Sequence, residues 1–261
     1  MPEAQEKADY YRDGLLYCGR CNTPKQSRVI IFGKHPPVEC SCIKAERDAM
    51  EAGFKRQAEQ RKINLLRGTA FSDAELRRWT FSNDDNTRPD LSDMAWRYVN
   101  RFTHNPEENK GLLLYGPTGT GKTFYACCIA NALIDRGISC LATCFTRVSN
   151  TLFGMKEGKQ EYIDSLNAPA LLVLDDLAAE RNTEYMQELV FSIIDARYRA
   201  GKPVIITTNL TAQEFNYPAD MQKKRIYSRL FEMCDFVEVN GKDRRKEELR
   251  RVLNSRAINN T

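Results

Sequence analysis

A chain of 261 residues, 42% hydrophobic and 28% charged, can form one domain of about 150–200 residues with a small unit beside it, and is too apolar to be largely disordered. A formal net charge of +4 is too mild to argue for a nucleic-acid or membrane partner from bulk charge, so any such case rests on local clusters. The opening MPEAQEKADYYRDG is polar, and no stretch approaches the roughly 18 apolar residues of a membrane span, so a cytoplasmic protein with no membrane partner is expected.

Of nine cysteines, Cys127, Cys128, Cys140, Cys144 and Cys234 lie in apolar or periodic segments, where a free thiol behaves as a small hydrophobe, and disulfides are not expected. The other four fall in the first 42 residues as Cys18-Gly-Arg-Cys21 and Cys40-Ser-Cys42. Such knuckles can gather four thiolates on a tetrahedral Zn²⁺. Residues 15–42 hold little else to bury, and a structural zinc contributes about 10–16 kcal/mol in finger peptides, enough to replace a core. His35 lies between the pairs as an alternative ligand, although Pro36 and Pro37 beside it favour a turn. Residues 43–67 are charged, Pro-free and helix-prone, and residues 69–89 read as a loop carrying Phe71, Trp79 and Phe81. The expected units are therefore a zinc-binding N-terminal domain (1–45), a helical linker (46–68) and a main domain (69–261).

From residue 90 the pattern alternates. Helices are predicted at 90–104, 122–136, 148–154, 161–167, 183–199 and 221–232, with strands at 111–115, 139–145, 171–174, 203–208 and 236–239. A basic helical tail occupies 246–256. This rhythm predicts an α/β fold with a central parallel sheet flanked by helices.

Gly116-Pro117-Thr118-Gly119-Thr120-Gly121-Lys122-Thr123 matches G-x-x-x-x-G-K-[ST] between a predicted strand and a predicted helix. Glycines let backbone N–H groups turn around a β-phosphate at a helix N-terminus, Lys122 reaches the β- and γ-phosphates, and Thr123 ligates Mg²⁺. The apolar run 171–174 ends in Asp175 and Asp176. Asp175 is the candidate for the Mg²⁺ shell and Asp176 for the general base. Asn209 follows a third apolar strand and can orient water; alternatively it is a turn residue. Arg225 and Arg229 are four apart and share a helix face. One of them can reach a neighbour's ATP, where an arginine supplied in trans accelerates phosphoryl transfer by about 10³–10⁵. In Gly241-Lys242-Asp243-Arg244-Arg245, Arg245 is the candidate γ-phosphate contact and Arg244 its alternative.

GPTGTGKT, LLVLDDL, ITTNL, RIYSRL and GKDRR, in this order and spacing, resemble the DnaC/DnaI family of bacterial and phage replicative helicase loaders, of the AAA+ ATPase type, over residues 69–258. Transposon-encoded IstB proteins share most of the pattern. The resemblance implies that Arg229 is an arginine finger and Arg245 the second sensor. It also implies that the protein assembles into ATP-dependent rings or spirals on single-stranded DNA, and that a zinc-bearing N-terminal domain grips a DnaB-type helicase. In residues 147–160, where this family inserts channel-lining helices, Arg147, Lys156, Lys159 and Phe153 are candidate DNA contacts. The implied function is ATP-dependent helicase loading with slow hydrolysis as a switch. The alternatives are an IstB-like regulator of transposition, which lacks a cysteine unit, and a metabolic P-loop kinase.

Overall fold

The computed structural model describes residues 8–177 and 184–246. The chain forms two compact units, Met1–Arg61 and Lys62–Thr261.

The first unit opens on an antiparallel pair, β1 (Tyr10–Arg12) and β2 (Leu15–Tyr17). Its turn, Asp13-Gly14, has φ of 50° and 76°, the double positive φ that a two-residue hairpin requires and that Asp-Gly accepts at little cost. The sequence reading missed this hairpin because each strand has only three residues. Among the described residues before the long helix, only Leu15, Cys18 and Cys40 are buried apolar groups. The helix α1 (Ser41–Thr69) is longer at both ends than the predicted 43–67. It buries no residue fully.

In the second unit, α2 (Pro89–Arg101) starts on a proline, whose missing N–H costs nothing in a first turn. The chain then runs through β3 (Gly111–Tyr115), α3 (Lys122–Asp135), β4 (Cys140–Cys144), α4 (Phe145–Gly154), α5 (Lys159–Asn167), β5 (Leu171–Leu177) and α6 (Glu184–Arg199). It continues through β6 (Val204–Thr208), α7 (Ala212–Asn216), α8 (Met221–Met233) and β7 (Cys234–Glu238). The five strands β3–β7 form one parallel sheet in the order β4-β5-β6-β3-β7.

Both faces of the sheet are covered, which is why its strands read as continuous apolar runs. Leu112, Leu114, Leu171, Val173 and Ile205 pack on one side with Tyr98, Val99, Ile129, Leu133 and Ile134 of α2 and α3. Leu113, Leu172, Leu174, Val204 and Ile206 pack on the other with residues of α4, α6 and α8, among them Val148, Ile193, Ile194 and Leu230.

The predicted loop 69–89 is not free of the sheet. Phe71 bridges in parallel to Ala142, and Ala142 N–H donates to the Ala70 carbonyl (2.6 Å), so the loop covers the edge of β4. The short α7, also missed, is set by a capping box between Thr211 and Glu214. The tail predicted over 246–256 lies outside the described residues from 247 on. Among the described residues, no helix is long and apolar enough to cross a membrane.

Candidate functional site

The loop 116–121 lies between the end of β3 and the start of α3, whose first residues are Lys122 and Thr123, at the carboxyl edge of the sheet where open α/β folds bind ligands. Gly116, Gly119 and Gly121 have φ of 130°, 79° and 99°, values that a side chain would strain. The Lys122 ammonium is buried and donates to the carbonyls of Gly116 (2.8 Å) and Pro117 (2.7 Å) and to Asn209 Oδ1 (2.9 Å). Burial holds Lys122 below the ordinary lysine range, and the charge of Arg245 pushes the same way, against Asp176 and Asp175.

Strand β5 does not end at Leu174 as predicted. It continues to Leu177 with a break in register against β6 between Leu174 and Leu177. Asp175 and Asp176 occupy that break, and Asp176 has a left-handed φ of 58°, a conformation that Asp tolerates better than most residues. Thr207 of β6 pins both: its hydroxyl donates to Asp175 Oδ1 and accepts from Asp176 N–H (3.1 Å). Burial pushes the Asp175 carboxyl up, and hydrogen bonds from Thr207 and Thr123 oppose the shift. Thr123 and Asp175, the two candidate Mg²⁺ ligands, are therefore already adjacent. Thr207 was legible only as part of a strand, because its role depends on which strand lies beside β5.

A cleft of about 360 Å³ joins these parts. Thr118, Gly119, Thr120, Gly121, Lys122 and Thr123 line its floor, Asp175, Asp176 and Asn209 one wall, and Arg244 and Arg245 another. Leu76, Trp79 and Phe124 add an apolar side suited to a flat base, which sequence reasoning missed except for noting Trp79 as an aromatic loop residue. Arg225 and Arg229 lie elsewhere, lining a separate hollow with Phe191, Met221, Lys224 and Ser228. Arg225 stacks on Phe191 (4.4 Å). Arg229 stacks on Tyr198 (4.4 Å) and donates from Nε to Asp195 Oδ1 (3.1 Å).

In the first unit, Cys18, Cys21, Cys40 and Cys42 bring their sulfurs within 4.8 Å of one another. Cys18 and Cys42 are 3.5 Å apart, and Cys40 and Cys42 are 3.2 Å apart. Four thiolates on a tetrahedral zinc, with Zn–S near 2.3 Å, lie about 3.8 Å apart. The donor set therefore fits that ion. Hydrogen bonds lower the Cys21 and Cys40 thiols, from the Thr23 hydroxyl and the Ile43 N–H respectively, while the hydrogen bonds Cys42 makes to the Cys40 and Cys18 sulfurs raise Cys42. His35 is outside the cluster, with Nδ1 on the Ser27 carbonyl (2.9 Å).

Of the DNA candidates, Phe153 is 83% exposed at the end of α4, and Lys156 and Lys159 are exposed. Arg147 is paired with Asp73 (3.0 Å).

Strand order brings together the paired acids of β5, Asn209 just past the end of β6 and the P-loop just past the end of β3, three neighbouring strands, and an α/β chain built in this way is an AAA+ P-loop ATPase. The family follows from comparison: a family model described as IstB-like ATP binding protein matches residues 93–252, more than half of the chain, and the chain belongs to that family. Its relatives include the replicative helicase loader DnaI of Bacillus subtilis, 24% identical over 244 residues, with 87% of this chain and 78% of DnaI covered. DnaC of Escherichia coli, also a replicative helicase loader, is 27% identical over 124 residues, covering 46% of this chain and 49% of DnaC. An insertion-sequence ATP-binding protein of Sinorhizobium fredii is 30% identical over 142 residues, covering 52% of this chain and 46% of its own length. The chain thus spans about half of the latter two proteins. Among solved structures, a crystal structure of DnaI superposes with a TM-score of 0.58 at 25% identity, over 67% of this chain and 96% of that one.

Proposed function

We propose that this protein is an ATP-dependent loader of a DnaB-type hexameric replicative helicase onto single-stranded DNA during replication initiation, acting in the cytoplasm. The observation that carries the reading is the four-cysteine cluster, together with the reach of the DnaI alignment. That alignment covers 87% of the chain, more than Lys62–Thr261 alone supplies, so it extends into the cysteine-bearing unit. Matches to the insertion-sequence protein and to DnaC cover about half of the chain.

In this reading Cys18, Cys21, Cys40 and Cys42 hold a structural Zn²⁺ that shapes the helicase-binding unit. ATP lies in the P-loop cleft, with Lys122 and the backbone of residues 116–121 on its phosphates. Thr123 and Asp175 would hold Mg²⁺, which when bound neutralises charge on the β- and γ-phosphates. Asp176 accepts the proton of the attacking water, and Asn209 orients that water. Arg245 meets the γ-phosphate from the same chain. Arg229, with Arg225 beside it, faces the ATP of a neighbouring copy, so hydrolysis depends on assembly into a ring or spiral. Lys156, Lys159 and Phe153 contact the single strand. Hydrolysis then works as a release switch.

The test is mass photometry of the full chain mixed with the replicative helicase of the same genome, with and without ATP. A defined co-complex, lost in Cys18→Ser/Cys21→Ser, supports the loader. ATP-dependent coating of DNA with no helicase complex under any nucleotide condition supports the second reading, a regulator of transposition, which the insertion-sequence relative favours.

A further inference from the structure

Two segments far apart in sequence meet beside the P-loop. The Arg88 guanidinium donates to the Asn240 carbonyl, and Asp90 holds the same guanidinium at 2.7 and 3.0 Å. Gly241, with φ 152°, passes so close that a Cβ there would stand 2.8 Å from Arg88 Nη1. Three residues on, Arg244 forms an ion pair with Asp85 (Nη2–Oδ1, 2.6 Å) and lies over the Phe124 ring at 5.7 Å. Arg244 N–H donates to the carbonyl of Gly119 (3.0 Å). The Asp243 carboxylate fills the space that Gly119 leaves by having no side chain, and Oδ1 accepts from the N–H groups of Arg245 (3.1 Å) and Lys246 (3.4 Å).

These contacts fix how the helical turn starting at Arg244 faces the nucleotide. Successive residues on a helix point about 100° apart, so only one of two adjacent arginines can be aimed at a given phosphate. Both line the cleft, but Arg244 is held by Asp85 and Phe124. This leaves Arg245, which lines the same cleft as Lys122, to face the nucleotide.

We propose that Asp85 is a positioning residue for nucleotide discrimination: by engaging Arg244 it sets the rotation of the 243–246 turn, directs Arg245 at the γ-phosphate, and thereby sets the preference for ATP over ADP. The inference rests on the reading of Arg245 as the γ-phosphate contact. Asp85 touches no nucleotide atom in this scheme. Its effect passes through Arg244 to Arg245.

The test uses full-length protein and titrations with N-methylanthraniloyl-labelled ATP and ADP, alongside kcat and KM for ATP. Variants are Asp85→Asn, Asp85→Ala, Arg245→Ala, the combination of Asp85→Ala with Arg245→Ala, and the exchanged pair Asp85→Arg with Arg244→Asp. Thermal melts confirm that each is folded. A partly exposed ion pair supports about a fivefold effect. Asp85→Asn and Asp85→Ala are expected to weaken ATP about fivefold and leave ADP within about twofold, with the exchanged pair recovering the preference. With Arg245 already removed, Asp85→Ala adds nothing, the non-additivity of residues acting in series. The proposal is overturned if Asp85→Asn changes ATP and ADP equally, or changes neither, while Arg245→Ala selectively weakens ATP. If Arg245→Ala itself leaves the ATP-to-ADP ratio unchanged, the γ-phosphate reading of Arg245 fails first and the role of Asp85 falls with it.

Discussion

Lys122 and Asn209, 87 positions apart, are joined by a 2.9 Å hydrogen bond from the ammonium to the side-chain carbonyl. An ammonium has three donors, and those of Lys122 go to Gly116, Pro117 and Asn209. A phosphate that recruits Lys122 competes with these acceptors. Nucleotide binding is thereby coupled to Asn209, the residue proposed to orient water. Asn209→Ala removes the proposed orienting group without removing a proposed phosphate ligand. Turnover should fall about tenfold to a hundredfold while ATP affinity stays within a few-fold, and Lys122→Ala should abolish binding itself. Nucleotide titration and steady-state hydrolysis separate the two. An Asn209→Ala protein that binds ATP as poorly as Lys122→Ala would return Asn209 to a structural role.

Asp176 combines a candidate chemical role with a left-handed backbone at φ 58°. The two can be separated because Asn tolerates this conformation about as well as Asp, whereas Ala is strained there by roughly 1–2 kcal/mol. Asp176→Asn is expected to keep the melting temperature within a degree or two and to lose about 10²- to 10⁴-fold in kcat. Asp176→Ala should lose both turnover and stability. Unchanged turnover in Asp176→Asn would move the base role to another group.

The residues that meet in the candidate nucleotide cleft were largely legible because the chemistry dictates residue types at fixed spacing: the P-loop, the acids after an apolar strand, and Asn209 after another. The residues that tune it were not. Thr207 matters only because β6 lies beside β5, and Asp85 only because the 84–88 segment before α2 meets the segment after β7. Contacts of that kind follow from the packing of distant segments, and no local pattern encodes them. The hairpin of β1 and β2 escaped for a different reason, since three-residue strands give too short an alternation to read against the polar background.

The cysteine cluster predicts one zinc per chain, measurable by atomic spectrometry on native protein. Thiolate ligands must lose their protons to bind metal, so zinc affinity should fall as pH falls. Chelation is expected to erase ordered NMR signals from residues 8–40 and to leave ATP hydrolysis within about twofold, because the P-loop cleft draws on residues 76–245 alone. Protein that carries no zinc when made in zinc-replete medium would sink the metal assignment.

Arg197 has no exposed surface, yet its guanidinium donates to the carbonyls of Asn167 (3.4 Å), Pro169 (2.9 Å), Ala170 (3.2 Å) and Pro203. It ties the approach to β5 to the approach to β6. Burial lowers its pKa to about 10, so it stays charged at neutral pH. Arg197→Ala leaves several buried carbonyls without a donor, at about 1–3 kcal/mol each, and should lower unfolding free energy by about 3 kcal/mol or more. Arg197→Lys should recover only part, since an ammonium cannot reproduce the planar fork. Urea denaturation followed by tryptophan emission checks both.

Phe153, Lys156 and Lys159 offer one exposed aromatic ring and two exposed cations within seven residues, whereas Arg147 is already engaged by Asp73. The two kinds of group should act differently on single-stranded DNA. Each lost phosphate contact lowers the slope of log affinity against log salt by about 0.7, so Lys156→Ala/Lys159→Ala should flatten it by about 1.4. Phe153→Ala should weaken binding by about 1–3 kcal/mol, the cost of one lost base stack, and leave the slope as it was. Fluorescence anisotropy with labelled oligo-dT and ATP, repeated from low to moderate salt, measures both quantities. Undiminished affinity and an unchanged slope in both variants would remove this segment from the DNA path.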